Sequence, residues 1–153
     1  FRGYYFCEEM THCFKEVIFK EKVYFKDVTF FGSVNFNNAI FKDDVVFQNV
    51  SFEGLVNNFR KTSFDELTKF ENVHFENACD FTDTYFDFVL FNGVTFNKQA
   101  NFTDSSFHNI DLENINFEKE AIFIRAKFDF KFKLSDANFK EKVQFYNSVF
   151  IFR

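Results

Sequence analysis

Phenylalanine recurs along almost the whole chain at intervals that alternate between five and six residues. In the stretch FKEVIFKEKVYFKDVTFFGSVNFNNAIFKDDVVFQNVSF, residues 14–52, mostly polar residues fill the gaps between the rings. A small or β-branched residue stands two positions before most of the rings, as Val17, Val23 and Val28 do. The repeating unit is therefore a small residue, one spacer, Phe and two or three further residues, which predicts an array of similar short elements.

The array is predicted to consist of extended chain and not of helix. An 11-residue period also occurs in right-handed helical coiled coils. In a helix, however, the turn of about 100° per residue would place Val17 and Phe19 on opposite sides, so no single apolar seam would form. Val, Phe and Thr also favour extended structure. The pattern therefore predicts a solenoid built from short strands.

Four units make a coil of about 22 residues, and coils of that length place the central apolar residues in four columns. Of the 26 central positions, 24 are Phe. The two exceptions, Leu112 and Leu134, fall in one column on adjacent coils, where the inward partner grows from Val89 to Ile110 and Phe132. A smaller centre beside a larger partner keeps the volume of a close-packed interior constant.

The predicted structural core consists of these columns, which we name A to D. Column A contains Phe14, Phe36, Phe59, Phe81, Phe102, Phe123 and Phe145; column B contains Phe19, Phe41, Phe64, Phe86, Phe107, Phe128 and Phe150; column C contains Phe25, Phe47, Phe70, Phe91, Leu112 and Leu134; column D contains Phe30, Phe52, Phe75, Phe96, Phe117 and Phe139.

Tandem units such as FKDVTF followed by FGSVNF, repeated over residues 14–150, resemble the pentapeptide-repeat family. The resemblance implies an all-β fold, a right-handed quadrilateral parallel β-helix (a β-solenoid) of about six to seven coils of roughly 22 residues. The first residues, FRGYYFCEEMTHC, do not keep the period. We therefore divide the chain into an N-terminal cap segment, residues 1–13, which could include a short helical turn, and a β-helix, residues 14–153.

The period is interrupted once, between Phe52 and Phe59, where EGLVNN makes the gap seven residues long. One extra residue is expected to bulge outward there, and Gly54 and Asn57 or Asn58 are able to accept unusual backbone angles. The bulge is either a tolerated irregularity or a loop that contacts a partner. The interval into column C shortens from six to five residues at Phe91 and at Leu112, which predicts a tighter corner.

The net charge of −5 is unevenly distributed, because residues 62–117 hold 2 basic against 10 acidic residues. A uniformly basic footprint is absent, so direct nucleic-acid binding is not expected. The sequence contains no apolar run long enough to cross a bilayer and no secretory signal, so we expect no membrane association and a cytoplasmic location. Three cysteines argue against a disulfide framework.

The sequence offers little catalytic chemistry. Cys7, His12 and Cys13 are metal-ligand types, but a zinc site needs four ligands and their spacing matches no usual knuckle, so a structural cap is preferred. Cys79 occupies an inward position and should be a small core residue. The other two histidines stand on outward positions without a nucleophile nearby, and no glycine-rich phosphate loop occurs. We expect no enzyme, no metal and no cofactor.

Two functions remain from different classes. The first is a non-enzymatic structural or protein-interaction scaffold with an unknown protein partner. The second follows from the resemblance, because some family members protect or inhibit a type II topoisomerase, DNA gyrase, by mimicking duplex DNA in shape and charge. The acidic band over residues 62–117 is what supports that alternative.

Outward residues and the last coil are the expected contact surfaces. Phe88, Phe130, Phe31 and Tyr146 are aromatics outside the ring columns and should point outward, either as scattered exposed rings or as part of a patch. The predicted partner surface comprises Asp65, Glu66, Glu71, Glu76, Asp80, Asp83, Asp87, Phe88 and Phe130. Because the last residues, SVFIFR, supply no polar cap, we also expect a homodimer through the C-terminal coil, with Phe150, Ile151 and Phe152 at its end.

Overall fold

The structure is a computed structural model that describes residues 5–6 and 12–151. Across those residues all regular structure is β-strand, and no helix occurs. The strands are β1 Tyr5–Phe6, β2 His12–Cys13, β3 Ile18–Phe19, β4 Val23–Phe30, β5 Val34–Asn35, β6 Ile40–Phe41, β7 Val45–Phe52, β8 Asn57–Asn58, β9 Ser63–Phe75, β10 Cys79–Asp80, β11 Tyr85–Asn92, β12 Thr95–Phe96, β13 Ala100–Asn101, β14 Ser106–Glu113, β15 Asn116–Phe117, β16 Ala121–Ile122, β17 Lys127–Ser135, β18 Asn138–Phe139, β19 Val143–Gln144 and β20 Val149–Phe150.

These strands stack as a parallel β-solenoid of about six turns with a spacing of about 22 residues, which confirms the predicted fold class. Each strand pairs in parallel with its counterpart in the next coil, as Phe41 pairs with Phe64 and Phe64 with Phe86. The seven short strands that precede column A form one sheet, in the order β19-β16-β13-β10-β8-β5-β2. The other strands form a second sheet that wraps around the remaining sides.

The rings of each column lie face to face along the solenoid axis. Centroid separations between neighbouring rings run from 4.5 Å, for Phe19 on Phe41, to 5.3 Å, for Phe86 on Phe107. This separation is close to the spacing of hydrogen-bonded strands, so the hydrogen bonding between coils determines the distance between stacked rings. Rings of different columns meet edge to face, as Phe70 and Phe81 do at 6.2 Å. Apolar burial and aromatic contacts therefore reinforce the same register.

The part of column C that contains leucine is filled by its inward partners. Leu112 and Ile110 are buried. Phe132 packs edge-on against Phe128 at 5.1 Å and against Phe150 at 5.7 Å. A ring at the inward partner position thus replaces a ring at the centre.

Three residues of the predicted core are exposed in the structure. Leu134 is 48% exposed, and Phe145 and Phe150 are exposed to a similar degree. Each of them is the last residue of its column. Within the described residues, no further coil therefore covers the outer side of these side chains. Their inward positions nevertheless continue the ladder, since Phe145 stacks on Phe123 at 5.0 Å and Phe150 on Phe128 at 4.6 Å.

Two corners of every coil use a left-handed backbone conformation. The residue two positions after each ring of columns A and C has a positive φ. Next to column A this residue closes a turn, as in Phe36 to Ala39, where the Ala39 N–H donates to the Phe36 carbonyl at 2.8 Å. A positive φ at the third residue is what a type II turn requires. Nine of the twelve non-glycine residues with positive φ are Asn or Asp, the exceptions being Glu16, Lys61 and Arg125.

Short polar side chains satisfy backbone groups at the corner that contains column A. Side-chain oxygens of Asn35, Asn58, Asp80 and Asn101 each accept a hydrogen bond from the backbone N–H two residues later, at 2.9–3.1 Å. Asx turns of this kind are a known use of Asn and Asp at turns. The same type of residue recurs because the same backbone geometry recurs in each coil.

The interruption at EGLVNN is an outward bulge. Leu55 is 80% exposed, and Val56 beside it is also exposed. Gly54, Asn57 and Asn58 are able to accept unusual backbone angles, but none of them has a positive φ. Gly54 is required for space, since a Cβ there would lie 2.3 Å from the carbonyl carbon of Gly32.

Strand pairing extends into the segment assigned as a cap. Tyr5 and Phe6 pair with Thr29 and Phe30, and the strand at residues 12–13 pairs with that at residues 34–35. The short helical turn considered for residues 7–13 falls largely outside the described residues.

Candidate protein-interaction surface

The corner between columns B and C changes shape along the solenoid. Six residues separate the two columns from Phe64 to Phe70 and again from Phe128 to Leu134, but only five do so in the two coils between them. The strand registers shift accordingly at Phe86/Phe88 in β11 and at Phe107/Asn109 in β14. Each shift is a β-bulge, a feature that re-aims side chains and is enriched beside functional sites.

The two bulges border a recess that we name the corner notch. Its floor is formed by residues 86–91 and 107–112, the two coils with the shorter corner. Asp65 and Glu66 form one rim, and Asp129 and Phe130 form the other. The longer corners hold one residue more than the shorter ones, so they extend further outward.

Aromatic side chains surround the notch. Phe130 is 49% exposed, and its ring stacks on the imidazole of His108 with centroids 5.6 Å apart and planes inclined by 22°. Tyr85 is exposed at the start of β11, and its hydroxyl donates to Oδ1 of Asp87 at 3.4 Å. Phe88 lies on the floor and is half-buried. The notch thus combines flat apolar surfaces with polar groups.

Three carboxylates at the notch, those of Glu66, Asp87 and Asp129, have no basic partner in the part of the chain that the structure describes. Among the described residues no lysine, arginine or histidine forms an ion pair with Asp87 or Asp129. Both lie in the outward row directly after column B, on either side of His108. Burial and the carboxylates of Asp87, Asp65 and Asp129 raise the pKa of Tyr85. The hydroxyl of Tyr85 therefore experiences all three negative charges.

The fourth carboxylate, Asp65, is neutralised within the solenoid. It accepts hydrogen bonds from Lys42 Nζ and from the Ser63 hydroxyl, both at 2.5 Å. Burial by itself would raise the pKa of Asp65, but these two hydrogen bonds together outweigh burial and lower it. Asp65 therefore differs from its neighbour Glu66, which is exposed and forms no ion pair within the described residues.

A cavity of about 480 Å³ lies beside the Phe130 rim. Its lining comprises His108, Asp129, Phe130 and Ile151. The same side chains that form the rim therefore also bound a space that a partner side chain could enter.

The remaining acidic residues of the predicted partner surface lie on other sides of the solenoid. Glu71 follows column C, Glu76 follows column D, and Asp80 and Asp83 flank column A. One coil carries consecutive residues around the whole axis, so the acidic band of the sequence becomes a belt and not a single face. The structure brings together Asp65, Glu66, Asp87, Phe88 and Phe130.

Most of these dispersed carboxylates have partners inside the protein. Nζ of Lys69 lies 3.8 Å from Glu71. Asp83 faces Arg60 at 3.9 Å, and Asp80 caps a turn. Glu76 contacts Nε2 of His74 at 3.0 Å, and the His74 and Asn97 hydrogen bonds lower its pKa. Their charge is partly used to hold adjacent coils together.

The C-terminal coil exposes apolar side chains near the predicted dimer end. Val149, Phe150, Ile151 and Tyr146 are exposed, as is Leu134 one coil earlier. The predicted Phe152 lies outside the described residues. Within them, β18, β19 and β20 each pair on one side only, with β15, β16 and β17.

The two cysteines that the structure describes, Cys13 and Cys79, are free thiols. Cys79 is buried, and burial raises the pKa of its thiol. Cys13 is exposed and lies in β2, while Cys7 falls outside the described residues. No group of three or more His, Cys, Asp or Glu side chains suited to a metal occurs in the part of the chain that the structure describes.

Reasoning from the sequence assigned no role in binding to Tyr85, His108 or Asp129. A signal for them was present, because the intervals into Phe91 and Leu112 shorten from six to five residues. Those shortened intervals mark the two coils of the notch, and the residues just after column B are its neighbours. Asp129 was overlooked because it lies beyond the acidic band.

Two protein-family models, both described as pentapeptide repeats, match the chain: one of 9 copies over residues 14–57 and one of 8 copies over residues 79–118. Together they cover more than half of the sequence, and the chain belongs to the pentapeptide-repeat family. Residues 58–78 between the two matches keep the four columns through Phe59, Phe64, Phe70 and Phe75. The comparison with curated proteins and the comparison with solved structures gave no match.

In the described residues, no helix is long and apolar enough to cross a bilayer.

Proposed function

We propose that this protein is a non-enzymatic scaffold that binds another protein through the corner notch. The pentapeptide-repeat solenoid is a fold typical of non-enzymatic proteins. Its interior is filled by stacked rings, so contacts with other molecules fall to outward residues and to the ends.

The observation that carries the proposal is the exposed aromatic rim beside unpaired carboxylates. Elsewhere charged side chains pair between adjacent coils, as Arg125 does with Asp104 and Lys140 with Glu118. At the notch, Tyr85 instead remains exposed beside Asp87, and Phe130 remains exposed beside Asp129. Aromatic residues are enriched at protein interfaces because they supply large, rigid contact areas.

Site-specific photo-crosslinking tests this function. A photoreactive phenylalanine analogue at position 130 should give a discrete crosslinked protein product in lysate of the source organism. The same analogue at Tyr24, an exposed aromatic in β4 on the first coils, is the matched control and should give none. Equal crosslinking at both positions, or none at position 130, would contradict the proposal.

The alternative function, mimicry of duplex DNA toward a type II topoisomerase, has one supporting observation. Residues 79–118 contain a single lysine, Lys98, and no arginine, against seven acidic residues. Mimicry also needs lines of unpaired carboxylates, whereas Asp104 and Asp111 pair with Arg125 and Lys133. A supercoiling assay with purified gyrase distinguishes the functions, because only the mimic inhibits or protects the enzyme at micromolar concentration.

A further inference from the structure

We propose that the junction of Asn92 and Gly93 is a site of spontaneous deamidation, which the folded solenoid keeps inactive and which opening of this coil activates. The inference is independent of the proposed protein-interaction function. It follows from the residue pair at this corner, from the backbone of β11 and from the charges on the neighbouring coils.

The residue pair is the most reactive one for this chemistry. Asn92 and Gly93 form the one Asn-Gly pair in the chain. Deamidation begins when the backbone nitrogen of the following residue attacks the asparagine side chain, and glycine hinders that attack least because it has no side chain. The corner itself favours glycine at position 93. Its φ is 67°, and a Cβ there would lie 2.7 Å from Oδ1 of Asn72.

The reaction consumes only water. A bond forms between the Gly93 nitrogen and Cγ of Asn92, the bond between Cγ and Nδ2 breaks, and ammonia leaves with the proton of the Gly93 nitrogen. Water then opens the cyclic imide. Depending on the carbonyl that water attacks, the product is aspartate or isoaspartate, and isoaspartate carries one additional carbon atom in the main chain.

The folded structure opposes the first step. The Gly93 N–H donates a hydrogen bond to the carbonyl of Glu113 in the next coil at 3.2 Å, so this nitrogen is engaged. Asn92 is the last residue of β11 and has an extended backbone, whereas closure of the imide ring requires the Gly93 nitrogen to rotate towards the side chain. The side chain is also held, because Nδ2 of Asn114 donates to Oδ1 of Asn92 at 3.4 Å. Attack therefore requires separation of β11 from β14.

The charges on the neighbouring coils make the product unfavourable in the folded state. Asn92 lies in register between Glu71 and Glu113. Like charges directly opposite each other on neighbouring strands are destabilising. Lys69 and Lys133, which lie on other coils of the same face, already pair with carboxylates there. A coil that has opened and deamidated is therefore expected to close less stably than before, so the modification records the opening permanently.

Peptide mapping by mass spectrometry tests the inference on the 153-residue protein. One sample is incubated in neutral buffer and a second in urea above the unfolding midpoint, and the mass gain of deamidation is followed at each asparagine. In urea we expect Asn92 to react fastest, and Asn114, which is followed by the β-branched Ile115, to react slowly. In buffer Asn92 should react at least about tenfold more slowly than in urea, because core strands are open for only a small fraction of the time.

Two matched variants separate opening of this coil from unfolding of the whole protein. Val89→Ala removes buried methyl groups from β11 itself, and Val50→Ala removes the same groups from β7, three coils away from β14. In buffer, Val89→Ala should accelerate deamidation of Asn92 more than Val50→Ala does, and thermal melts of both variants verify folding. Equal acceleration at equal loss of melting temperature would overturn the assignment to this coil.

Substitutions at position 92 test the effect of the product. Asn92→Gln, whose longer side chain would have to close a larger ring, should give no product at position 92 in urea and should melt near the unmodified protein. Asn92→Asp should melt at a lower temperature than Asn92→Gln, and adding Glu113→Gln to Asn92→Asp should recover part of that loss. Equal deamidation rates in buffer and urea, an unreactive Asn92 in urea, or equal melting of Asn92→Asp and Asn92→Gln would overturn the inference.

Discussion

Inward hydroxyl groups show how single polar residues are accommodated in a core of rings. The hydroxyls of Thr62, Thr84 and Ser105 each donate a hydrogen bond to the backbone carbonyl of a column A phenylalanine in the preceding coil. The distances are 2.9, 2.8 and 2.6 Å. Thr68 is equally buried, but its Oγ1 has no hydrogen-bond partner. A buried hydroxyl without a partner loses its hydration and gains nothing in return.

Replacing Thr68 by Val should therefore stabilise the protein. Thr68 lies in register between Val45 and Val89, so a third Val continues the row with nearly the same shape. We expect the free energy of unfolding to rise by about 1–2 kcal/mol, measured by urea denaturation. Thr84→Val is the matched control and should lower it by about 1 kcal/mol, because that hydroxyl is bonded. Destabilisation by Thr68→Val would show that its hydroxyl has a partner.

A second prediction concerns the left-handed corners. Lys61 has a φ of 57°, whereas Asn38 and Asp83 occupy the same corner in the adjacent coils. A residue with a Cβ is strained there, and Asn tolerates the conformation better than Lys. We expect Lys61→Asn to raise the free energy of unfolding by about 0.5–1 kcal/mol, measured from thermal melts.

The control for Lys61→Asn is Lys20→Asn, which removes the same charge from an exposed residue whose φ is not positive. It should leave the melting temperature nearly unchanged. If both variants shift the melting temperature equally, charge and not backbone strain is responsible.

At the scale of the coil, the sequence predicts the register well and the polar pairings poorly. The columns follow from the interval between rings, because a pitch of about 22 residues permits only one alignment of Phe36, Phe59 and Phe81. The leucines in column C could also be placed, since their partners change volume in compensation. Which carboxylates pair depends on the rotamers of long side chains on neighbouring coils, and no interval in the sequence encodes that choice.

The corner notch could be predicted from the sequence in part. Its cause, the shortened intervals into Phe91 and Leu112, is visible in the sequence, but its consequence requires knowing which coils lie next to each other. The ring stack of Phe130 on His108 could not be predicted from spacing, because a bulge re-aims the side chain. Left-handed corners were also predictable in principle from the recurring Asn and Asp two residues after columns A and C.

Ion pairs between coils should make stability depend on acid pH. Arg125 donates hydrogen bonds to both carboxylate oxygens of Asp104 at 2.6 Å, and this lowers the pKa of Asp104 below its usual value of 3.8. A group whose folded-state pKa is depressed contributes stability above its unfolded pKa and loses it as the pH falls through the folded pKa. The contribution of this pair is therefore present at neutral pH and disappears in strong acid.

Asp104→Asn tests this linkage while keeping a residue type that tolerates the left-handed corner. We expect the variant to melt at a lower temperature than the unmodified protein at about pH 7 and at the same temperature at about pH 2. The difference should be small, since the pair is exposed. Asp136→Asn changes another left-handed corner that has no ion pair in the described residues, so it should give no pH-dependent difference. A constant difference between Asp104→Asn and the unmodified protein at all pH values would contradict the linkage.

At the scale of the molecule, the last described coil differs from the sides of the solenoid because no further described strand pairs with its outer edge. Parallel strands at the last described coil have one unpaired edge, and the column residues Leu134, Phe145 and Phe150 are exposed beside it. Such an edge favours addition of another strand. A second copy related by a two-fold axis would cover both C-terminal coils at once, and that symmetry closes the assembly at a dimer.

We therefore expect the 153-residue protein to dimerise through its C-terminal coil. Light scattering during size-exclusion chromatography should give a mass that rises from monomer to dimer with concentration. Leu134→Asp places a charge beside the exposed apolar residues of that coil, at the end of column C, so it should shift the equilibrium toward monomer. Leu55→Asp is the matched control, since Leu55 is an exposed leucine on the distant bulge and its replacement should leave the equilibrium unchanged. A mass of one chain at the highest concentration, or equal loss of association in both variants, would show that the C-terminal coil is not the interface.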